Sequence, residues 1–113
     1  PEKIRSKVYC ENFLTELCAH IKMTPFGAPI VVNFGEDPKV SGFTLIQLIQ
    51  ESNIAAHLVE QNNTGYFDVF SCLPFDISMA TKFIVDHFDI QAYKSDYTER
   101  QAPSLSLENI DKY

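Results

Sequence analysis

The sequence is short of two features that would point to particular partners. It has no run approaching the ~18 consecutive apolar residues that a membrane helix needs, which argues against a membrane-spanning protein. Positive charge is also scarce: nine lysines and arginines stand against fifteen aspartates and glutamates. The resulting net charge of −6 disfavours binding to a phosphate backbone. We therefore expect neither a membrane nor a nucleic-acid partner.

Cysteine is scarce too, and its spacing does not suggest a metal. The three cysteines are Cys10, Cys18 and Cys72, an odd number without a C-x-x-C pair. Neither a disulfide framework nor a zinc site is therefore expected, and we predict free thiols in a cytoplasmic protein without a metal. The chain begins at Pro1 without an initiator methionine or a signal-peptide pattern, so we expect that a short N-terminal segment is missing.

What the sequence does contain is enough apolar material for one core. Its 113 residues, of which 45% are hydrophobic, suffice for one domain and are too few for two. Apolar residues recur at threes and fours over residues 2–23, which predicts a helix with one buried face. Prolines and a glycine between residues 25 and 29 end that pattern. A second helix is predicted after residue 75, with Asp76 as its N-cap.

Strands are predicted between the two helices and after the second one. They cover residues 30–34, 43–49, 54–60, 65–72 and 90–93. Residues 61–64 have turn composition, so strands 54–60 and 65–72 should form a hairpin. The order of elements predicts an α+β fold, a two-layer sandwich in which two helices pack on one face of an antiparallel sheet. We expect one domain at residues 1–94 and a polar C-terminal tail at residues 95–113.

Three residues with reactive side chains occur at a distinctive spacing. His57 follows Ser52 by five residues, and Cys72 follows it by twenty. Five residues of straight strand cover roughly 16 Å, which is too far for contact between the serine and the histidine. Either the chain bends between them, or the histidine that meets a given serine comes from a second copy of the chain.

The predicted hairpin brings further residues together. If it turns about residues 62 and 63, the numbers of paired residues sum to roughly 125. Cys72 then lies opposite Asn53 and beside Ser52. The same register places Asp68 opposite His57, where its carboxylate would orient the imidazole.

The Glu51-Ser52 pair, His57 and a Phe-Ser-Cys sequence ending at Cys72 together resemble the small prokaryotic S-adenosylmethionine decarboxylases. The similarity covers about residues 40–100 and, more loosely, the first helix. In that family the Glu-Ser bond cleaves itself: the serine hydroxyl attacks the preceding carbonyl, the resulting ester eliminates, and the serine becomes a pyruvoyl group. The resemblance therefore implies a covalent pyruvoyl cofactor derived from Ser52.

The resemblance also implies roles for nearby side chains. His57 would be the base that promotes ester breakdown, and Cys72 the acid that protonates the product carbon after carbon dioxide leaves. The pyruvoyl group would act as the electron sink for decarboxylation. The family uses a further hydroxyl residue ahead of the cleavage site: ungapped counting gives Thr44, whereas a local Val-Ser-Gly resemblance gives Ser41. Both assignments stay open.

The chain departs from the family where a nucleoside would bind. Family members usually read SH[LI][ST]IHTWPE, and this chain reads SNIAAHLVE, which keeps the serine and only one of the two histidines. The segment that carries an adenine-stacking aromatic residue in the family lacks one here, and Phe34 is a displaced substitute. Glu60 could replace the glutamate that holds ligand hydroxyls, although it falls one position early.

Two classes of function follow. The first is a self-processing, pyruvoyl-dependent decarboxylase of S-adenosylmethionine in spermidine synthesis, or a variant that decarboxylates another amino acid. The second is a homologue that does not process itself and acts as a binding or regulatory protein. Relatives assemble as dimers with sites near the interface, so the resemblance implies a homodimer. The partners expected are thus a small-molecule substrate and a second copy of the chain.

Overall fold

The structure, a computed structural model, describes residues 2–33 and 37–98. In chain order the elements are a 3-10 turn at Lys3–Arg5, helix α1 at Lys7–His20, strands β1 at Ile30–Asn33, β2 at Phe43–Ile49, β3 at Ser52–Val59 and β4 at Thr64–Ser71, and helix α2 at Ile77–His87. In these residues neither helix is both long and apolar enough to cross a membrane.

Each helix begins where a side chain satisfies a free backbone N–H group. The Ser6 hydroxyl accepts a hydrogen bond from the Tyr9 backbone N–H at 3.2 Å, so α1 begins at Lys7 rather than at residue 2. The Asp76 carboxylate accepts one from the Met79 backbone N–H at 2.9 Å, which confirms the predicted N-cap of α2.

The four strands form one antiparallel sheet in the order β1-β2-β3-β4. A single core joins the sheet to the helices: Phe13 and Leu17 of α1 and Ala80 of α2 belong to the same buried cluster as Leu45 and Ile54. Burial of these side chains provides the main stabilisation of the fold. The predicted α+β sandwich with an antiparallel sheet is confirmed.

The predicted strand at residues 90–93 is wrong. Helix α2 ends with Asp89 at a φ of 54°, a left-handed conformation that reverses the chain. The Ile90 backbone N–H then donates to the Val85 carbonyl oxygen at 2.9 Å, so residue 90 completes the helix end. The Ile90 side chain packs against the core, which accounts for the apolar pattern without a strand. Among the described residues the sheet therefore has four strands.

The register of the predicted hairpin is also wrong, by two residues. Val59 and Thr64 are the last pair, and Asn63, at a φ of 52°, closes a four-residue turn. The turn is therefore centred one residue earlier than predicted, and each residue of β3 meets a partner two positions earlier in β4. Asn53 consequently lies opposite Phe70 rather than Cys72.

The beginning of β2 depends on a glycine. Gly42 has a φ of 150°, and a Cβ atom there would lie 1.7 Å from the Leu58 carbonyl oxygen, closer than two atoms can approach. The neighbouring Ser41 carbonyl oxygen accepts a hydrogen bond from the Glu60 backbone N–H at 2.9 Å. Close backbone approach at this point aligns β2 with the end of β3.

Side chains alternate between two faces of the sheet that differ in burial. The covered face packs beneath the helices and includes Leu45, Gln47, Ile54, Ala56 and Leu58, all buried. The open face includes three cross-strand rows, namely Ile30, Ile46, Ala55 and Asp68; Val32, Thr44, His57 and Tyr66; and Leu48, Asn53 and Phe70. Five of its large apolar or aromatic side chains are 42% to 63% exposed: Ile30, Val32, Leu48, Tyr66 and Phe70.

Candidate active site

The Glu51–Ser52 peptide bond lies at one end of the sheet, in the tight connection between β2 and β3. Ile49 pairs with Ser52, so Gln50 and Glu51 alone form the loop. Ser52, the first residue of β3, also pairs with Ser71 of β4. Backbone pairing therefore holds the serine from two neighbouring strands.

Cys72 lies beside this bond. Its backbone N–H donates to the Glu51 carbonyl oxygen at 3.0 Å, and its side chain is exposed. An N–H group held against a carbonyl oxygen stabilises negative charge that develops there when the carbonyl carbon is attacked. The predicted proximity of Cys72 to Ser52 is confirmed. Cys72 is, however, hydrogen-bonded to Glu51 and does not lie opposite Asn53.

Asn53 brings the serine hydroxyl into contact with the open face. Its side-chain Nδ2 donates to Ser52 Oγ at 3.3 Å. By strand alternation, Asn53 belongs to the open face and Ser52 to the opposite one. Because the serine is at the strand end, a side chain of the open face still reaches its hydroxyl. In the sequence, Asn53 occupies the position of the histidine that family members carry directly after the serine.

Thr44 and His57 form a cross-strand pair in the middle of the open face. The two residues are directly opposed on β2 and β3, and Thr44 Oγ1 lies 3.0 Å from His57 Nδ1, a hydrogen-bond distance. A threonine hydroxyl on Nδ1 fixes the orientation of the imidazole ring and leaves Nε2 for other partners. Of the two hydroxyl residues left open by the sequence, Thr44 is therefore the one that contacts the histidine.

Ser52 and His57 do not meet within one chain. β3 is continuous from Ser52–Val59 and its pairing with β2 is unbroken, so the bend considered from the sequence is absent. Five residues of extended strand separate the two side chains by roughly 16 Å and direct them to opposite faces. One chain thus carries two separate groups, Glu51, Ser52 and Cys72 at the sheet end and Thr44 with His57 on the open face.

Ser41 and Glu60 lie together at the other end of the sheet. The Arg5 guanidinium Nε is 3.4 Å from one Glu60 carboxylate oxygen, and Asn33 Nδ2 donates to the other at 3.4 Å. Arg5 also donates to the Glu60 carbonyl oxygen at 2.8 Å. Eight residues of strand separate Glu60 from Ser52, or roughly 26 Å. Neither Ser41 nor Glu60 can contact the Ser52 of its own chain.

The two remaining predicted site residues are Asp68 and Phe34. Asp68 lies opposite Ala55, so its predicted placement opposite His57 is wrong. Tyr66 takes the place opposite His57 because of the two-residue shift of the hairpin. Phe34 lies outside the described residues.

Two residues that the sequence did not single out support the site, Thr24 by direct contact and Gln47 through a neighbouring segment. The backbone N–H of Thr24 donates to Glu51 Oε1 at 3.2 Å. Gln47 is the buried polar residue of the described core, at 1% exposure, and it bonds to the loop that contains Thr24. No sequence signal marks Thr24, whereas a glutamine in an alternating apolar strand could have been noticed at position 47.

The other two cysteines belong to the core. Cys10 and Cys18 are buried in α1, and burial raises the pKa of each thiol, that of Cys10 to about 11. The Glu51 carboxylate raises the pKa of Cys18 further. Both side chains therefore stay neutral thiols and act as small apolar residues.

The residues around position 52 fit the formation of a pyruvoyl group. Its formation requires a serine hydroxyl next to a carbonyl that can be attacked, and Ser52 and Glu51 supply these. The hydrogen bond from the Cys72 N–H to the Glu51 carbonyl oxygen polarises that carbonyl toward attack. The thiol of the same cysteine is exposed, so it is accessible to a substrate.

The fold and the site define an α+β domain with a candidate self-processing serine at the end of its sheet. The family model described as S-adenosylmethionine decarboxylase matches residues 1–101, and the chain therefore belongs to the S-adenosylmethionine decarboxylase family. No curated protein and no solved structure matches the chain.

Proposed function

We propose that this protein is a pyruvoyl-dependent decarboxylase of S-adenosylmethionine, that it first cleaves itself between Glu51 and Ser52, and that it serves spermidine synthesis. Family membership supports the substrate class. The observation that carries the proposal is the hydrogen bond from the Cys72 N–H to the Glu51 carbonyl oxygen, next to the Ser52 hydroxyl.

Self-cleavage proceeds in two stages. Ser52 Oγ attacks the Glu51 carbonyl carbon, the C–N bond breaks, and the nitrogen takes the hydroxyl proton, which leaves an ester. Loss of the Ser52 Cα proton then breaks the Cβ–Oγ bond and releases Glu51 as a carboxylate. The dehydroalanine at position 52 tautomerises, and water displaces its nitrogen as ammonia. The Cys72 N–H stabilises the oxyanion of the first stage, and His57 takes the Cα proton in the second.

The residues left after cleavage suit a decarboxylase. The pyruvoyl carbonyl supplies an electron sink for the carbanion that remains when carbon dioxide leaves. The Cys72 backbone is hydrogen-bonded to Glu51, and its exposed thiol delivers the proton to the product carbon. The excess of acidic residues modestly favours a substrate with a positively charged sulfonium.

A second copy of the chain completes the site. The Thr44–His57 pair cannot reach Ser52 of its own chain, yet it lies on an open face with five exposed large apolar or aromatic side chains. Exposed apolar faces of this kind mark interaction surfaces. In a homodimer packed through the open faces, the pair from one copy serves the Glu51–Ser52 bond of the other. In the tautomer with a proton on Nδ1, that N–H donates a hydrogen bond to Thr44 Oγ1, and His57 Nε2 is the nitrogen that can accept a proton.

The first experiment is an intact mass of the full-length protein under denaturing conditions, before and after incubation. We expect two fragments that break between Glu51 and Ser52, the later one with a carbonyl end that reacts with phenylhydrazine. Ser52→Ala should stay intact, and Ser78→Ala, an exposed serine on α2, should cleave like the wild type. A single stable species would refute the pyruvoyl mechanism and favour the non-processing homologue, a binding or regulatory protein.

Mixed dimers test the shared site. A Ser52→Ala chain keeps the Thr44–His57 pair but cannot cleave, and a His57→Ala chain keeps the serine but lacks the base. When the two are refolded together, we expect the His57→Ala chain to recover cleavage, because its partner supplies the missing histidine. If the variants associate but no cleavage returns, the site is not shared between copies.

A decarboxylase of another amino acid is the second candidate. Glu60, the proposed ligand for substrate hydroxyls, is bound by Arg5 and Asn33. Because these contacts occupy the Glu60 carboxylate, they weaken the case for binding of a nucleoside. They do not affect decarboxylation at the amino-acid part of a substrate. Release of carbon dioxide from a panel of amino acids, compared with S-adenosylmethionine at equal concentration, separates the two candidates.

A further inference from the structure

The short loop that contains the scissile bond is held in place by another part of the chain. Resting on the proposed self-cleavage, we propose that the segment at residues 24–27, together with the Glu51 side chain and Gln47, positions the Glu51–Ser52 bond for attack. These residues are positioning residues, since they touch the reacting bond only through the loop. We name this segment the clamp.

The two-residue loop between β2 and β3 is not one of the turn types that form a stable hairpin by their own geometry. Two-residue hairpin loops that match the twist of their strands are of types I′ and II′, and both need a positive φ at the first loop residue. Among the described non-glycine residues, positive φ occurs at Lys22, Asn63 and Asp89, and therefore at neither Gln50 nor Glu51. The loop thus lacks the local geometry that would specify it without outside contacts.

The clamp supplies those contacts on both loop residues. The Gln50 backbone N–H donates to the Thr24 carbonyl oxygen at 2.9 Å, and the Thr24 backbone N–H donates to Glu51 Oε1 at 3.2 Å. Next along the clamp, the Phe26 backbone N–H donates to the Leu48 carbonyl oxygen at 2.7 Å. The clamp therefore continues the sheet beside the end of β2 and reaches around to the carboxylate of the scissile residue.

Gln47 fixes the clamp from inside the protein. Its side-chain amide nitrogen lies 3.2 Å from the Gly27 carbonyl oxygen and 2.9 Å from the Leu48 carbonyl oxygen, and the side chain is 1% exposed. A longer contact of 3.5 Å reaches the Phe26 carbonyl oxygen. Burying an amide without hydrogen bonds costs free energy. The hydrogen bonds of Gln47 therefore favour the arrangement in which the clamp stays joined to β2.

The consequence concerns the first stage of cleavage. Attack by Ser52 Oγ requires the Glu51 carbonyl to keep one orientation while the Cys72 N–H holds its oxygen. A misplacement of about 1 Å at a reacting group can cost ~100-fold in rate. The Glu51 side chain accepts the hydrogen bond from the clamp through a carboxylate oxygen. An amide oxygen at this position should accept the same hydrogen bond, whereas a thioether should not.

Two substitutions of similar length at position 51 test this idea. Glu51→Met removes the acceptor, and we expect self-cleavage to slow ~10- to 100-fold. Glu51→Gln keeps an oxygen acceptor, and we expect a rate within about threefold of the wild type. Hydroxylamine, which cleaves esters, locates the block: Glu51→Met should yield no hydroxylamine-sensitive species, whereas His57→Ala should accumulate one because its ester cannot eliminate.

A measurement that does not depend on cleavage accompanies this test. In the uncleavable Ser52→Ala background, amide hydrogen exchange at Thr24 and Cys72 should be ~10-fold faster with Glu51→Met than with Glu51→Gln. Equal exchange in the two variants would show that the side chain does not hold the loop. Thermal unfolding of both variants serves as the control for global stability.

The outcomes separate the clamp from the proposed function. If the wild type cleaves and Glu51→Met cleaves at the same rate, the clamp is wrong while the function stands. If Glu51→Met and Glu51→Gln slow self-cleavage equally, the effect is due to the lost charge, and the proposed role of the clamp is also wrong. If the wild type never cleaves, the proposed function fails and the positioning role fails with it, whatever the exchange rates show.

Discussion

The two faces of the sheet are built from alternate residues of the same strands, yet they differ in how far their side chains are buried. On the covered face, Leu45 and Leu58 are completely buried under the helices. On the open face, Leu48 is 48% exposed and Phe70 of the same row is 45% exposed. An antiparallel sheet with one solvated face usually carries polar residues there. The covered face therefore stabilises the monomer, whereas the open face fits contact with a partner.

The same difference separates the chemical groups. The Glu51–Ser52 bond lies at the sheet end, where the Thr24 backbone N–H donates to the Glu51 side chain and the buried Gln47 binds the segment that contains Thr24. The Thr44–His57 pair lies on the open face, away from that bond. Changes on the covered face should thus affect folding, and changes on the open face should affect assembly and processing.

The largest effect is expected from a matched pair on β2. Leu45→Ala deletes a fully buried side chain, and core changes of this kind cost about 2–5 kcal/mol in the free energy of unfolding. Leu48→Ala, three residues later on the open face, should cost less than about 1 kcal/mol in the dilute monomer. Urea unfolding at low protein concentration measures both. Equal losses would mean that the two faces are buried alike.

The next effect concerns assembly. Phe70→Asp places a charge on the open face, and we expect self-association to weaken ~100-fold or more because a desolvated charge opposes burial. Val8→Asp, at another exposed apolar position but on helix α1, is the control and should leave association unchanged. Sedimentation velocity across a concentration series gives the dissociation constants. Association that responds to Val8→Asp rather than Phe70→Asp would place the interface on the helices.

The sequence predicted the fold well where local patterns dominate. The bounds of β2 and the N-cap at Asp76 could be predicted because apolar alternation and capping depend on near neighbours. The predicted strand at residues 90–93 was wrong because Ile90 packs against the core behind a helix end, and tertiary contacts decide between the two arrangements. The predicted hairpin register was wrong because the register depends on the left-handed conformation of Asn63, which the composition of the turn does not specify.

The arrangement of the candidate site could not be predicted from the sequence. The spacing of Ser52, His57 and Cys72, with the family resemblance, predicted three reactive side chains, and their roles stay a prediction. Their separation into two groups follows from the continuity of β3, which strand propensity alone cannot guarantee. The clamp around Thr24 was missed because it contributes backbone N–H and carbonyl groups to these hydrogen bonds, and most residue types supply such groups equally.

A smaller effect is expected at Thr44, and it concerns processing rather than folding. Thr44→Val removes the hydroxyl from His57 Nδ1, so the imidazole loses its orientation and the second stage of cleavage should slow ~10-fold. Thr44→Ser keeps the hydroxyl and should stay within about threefold of the wild type. Intact mass over time gives the rates. If Thr44→Val cleaves normally while Ser41→Ala does not, the processing hydroxyl is Ser41.

The smallest effect concerns a histidine on the helix side of the sheet. His87 is enclosed by Tyr9, Phe13, Phe83 and Phe88, and burial lowers its pKa, although the nearby Glu16 carboxylate acts in the opposite direction. Below about pH 6.5 the unfolded chain therefore binds a proton that the folded chain resists, and the free energy of unfolding should fall as the pH decreases. His87→Phe should flatten that decline between pH 7 and pH 5 in urea unfolding, whereas Thr44→Ser should leave it unchanged. A decline that persists in full without His87 would assign the acid sensitivity to other titrating groups.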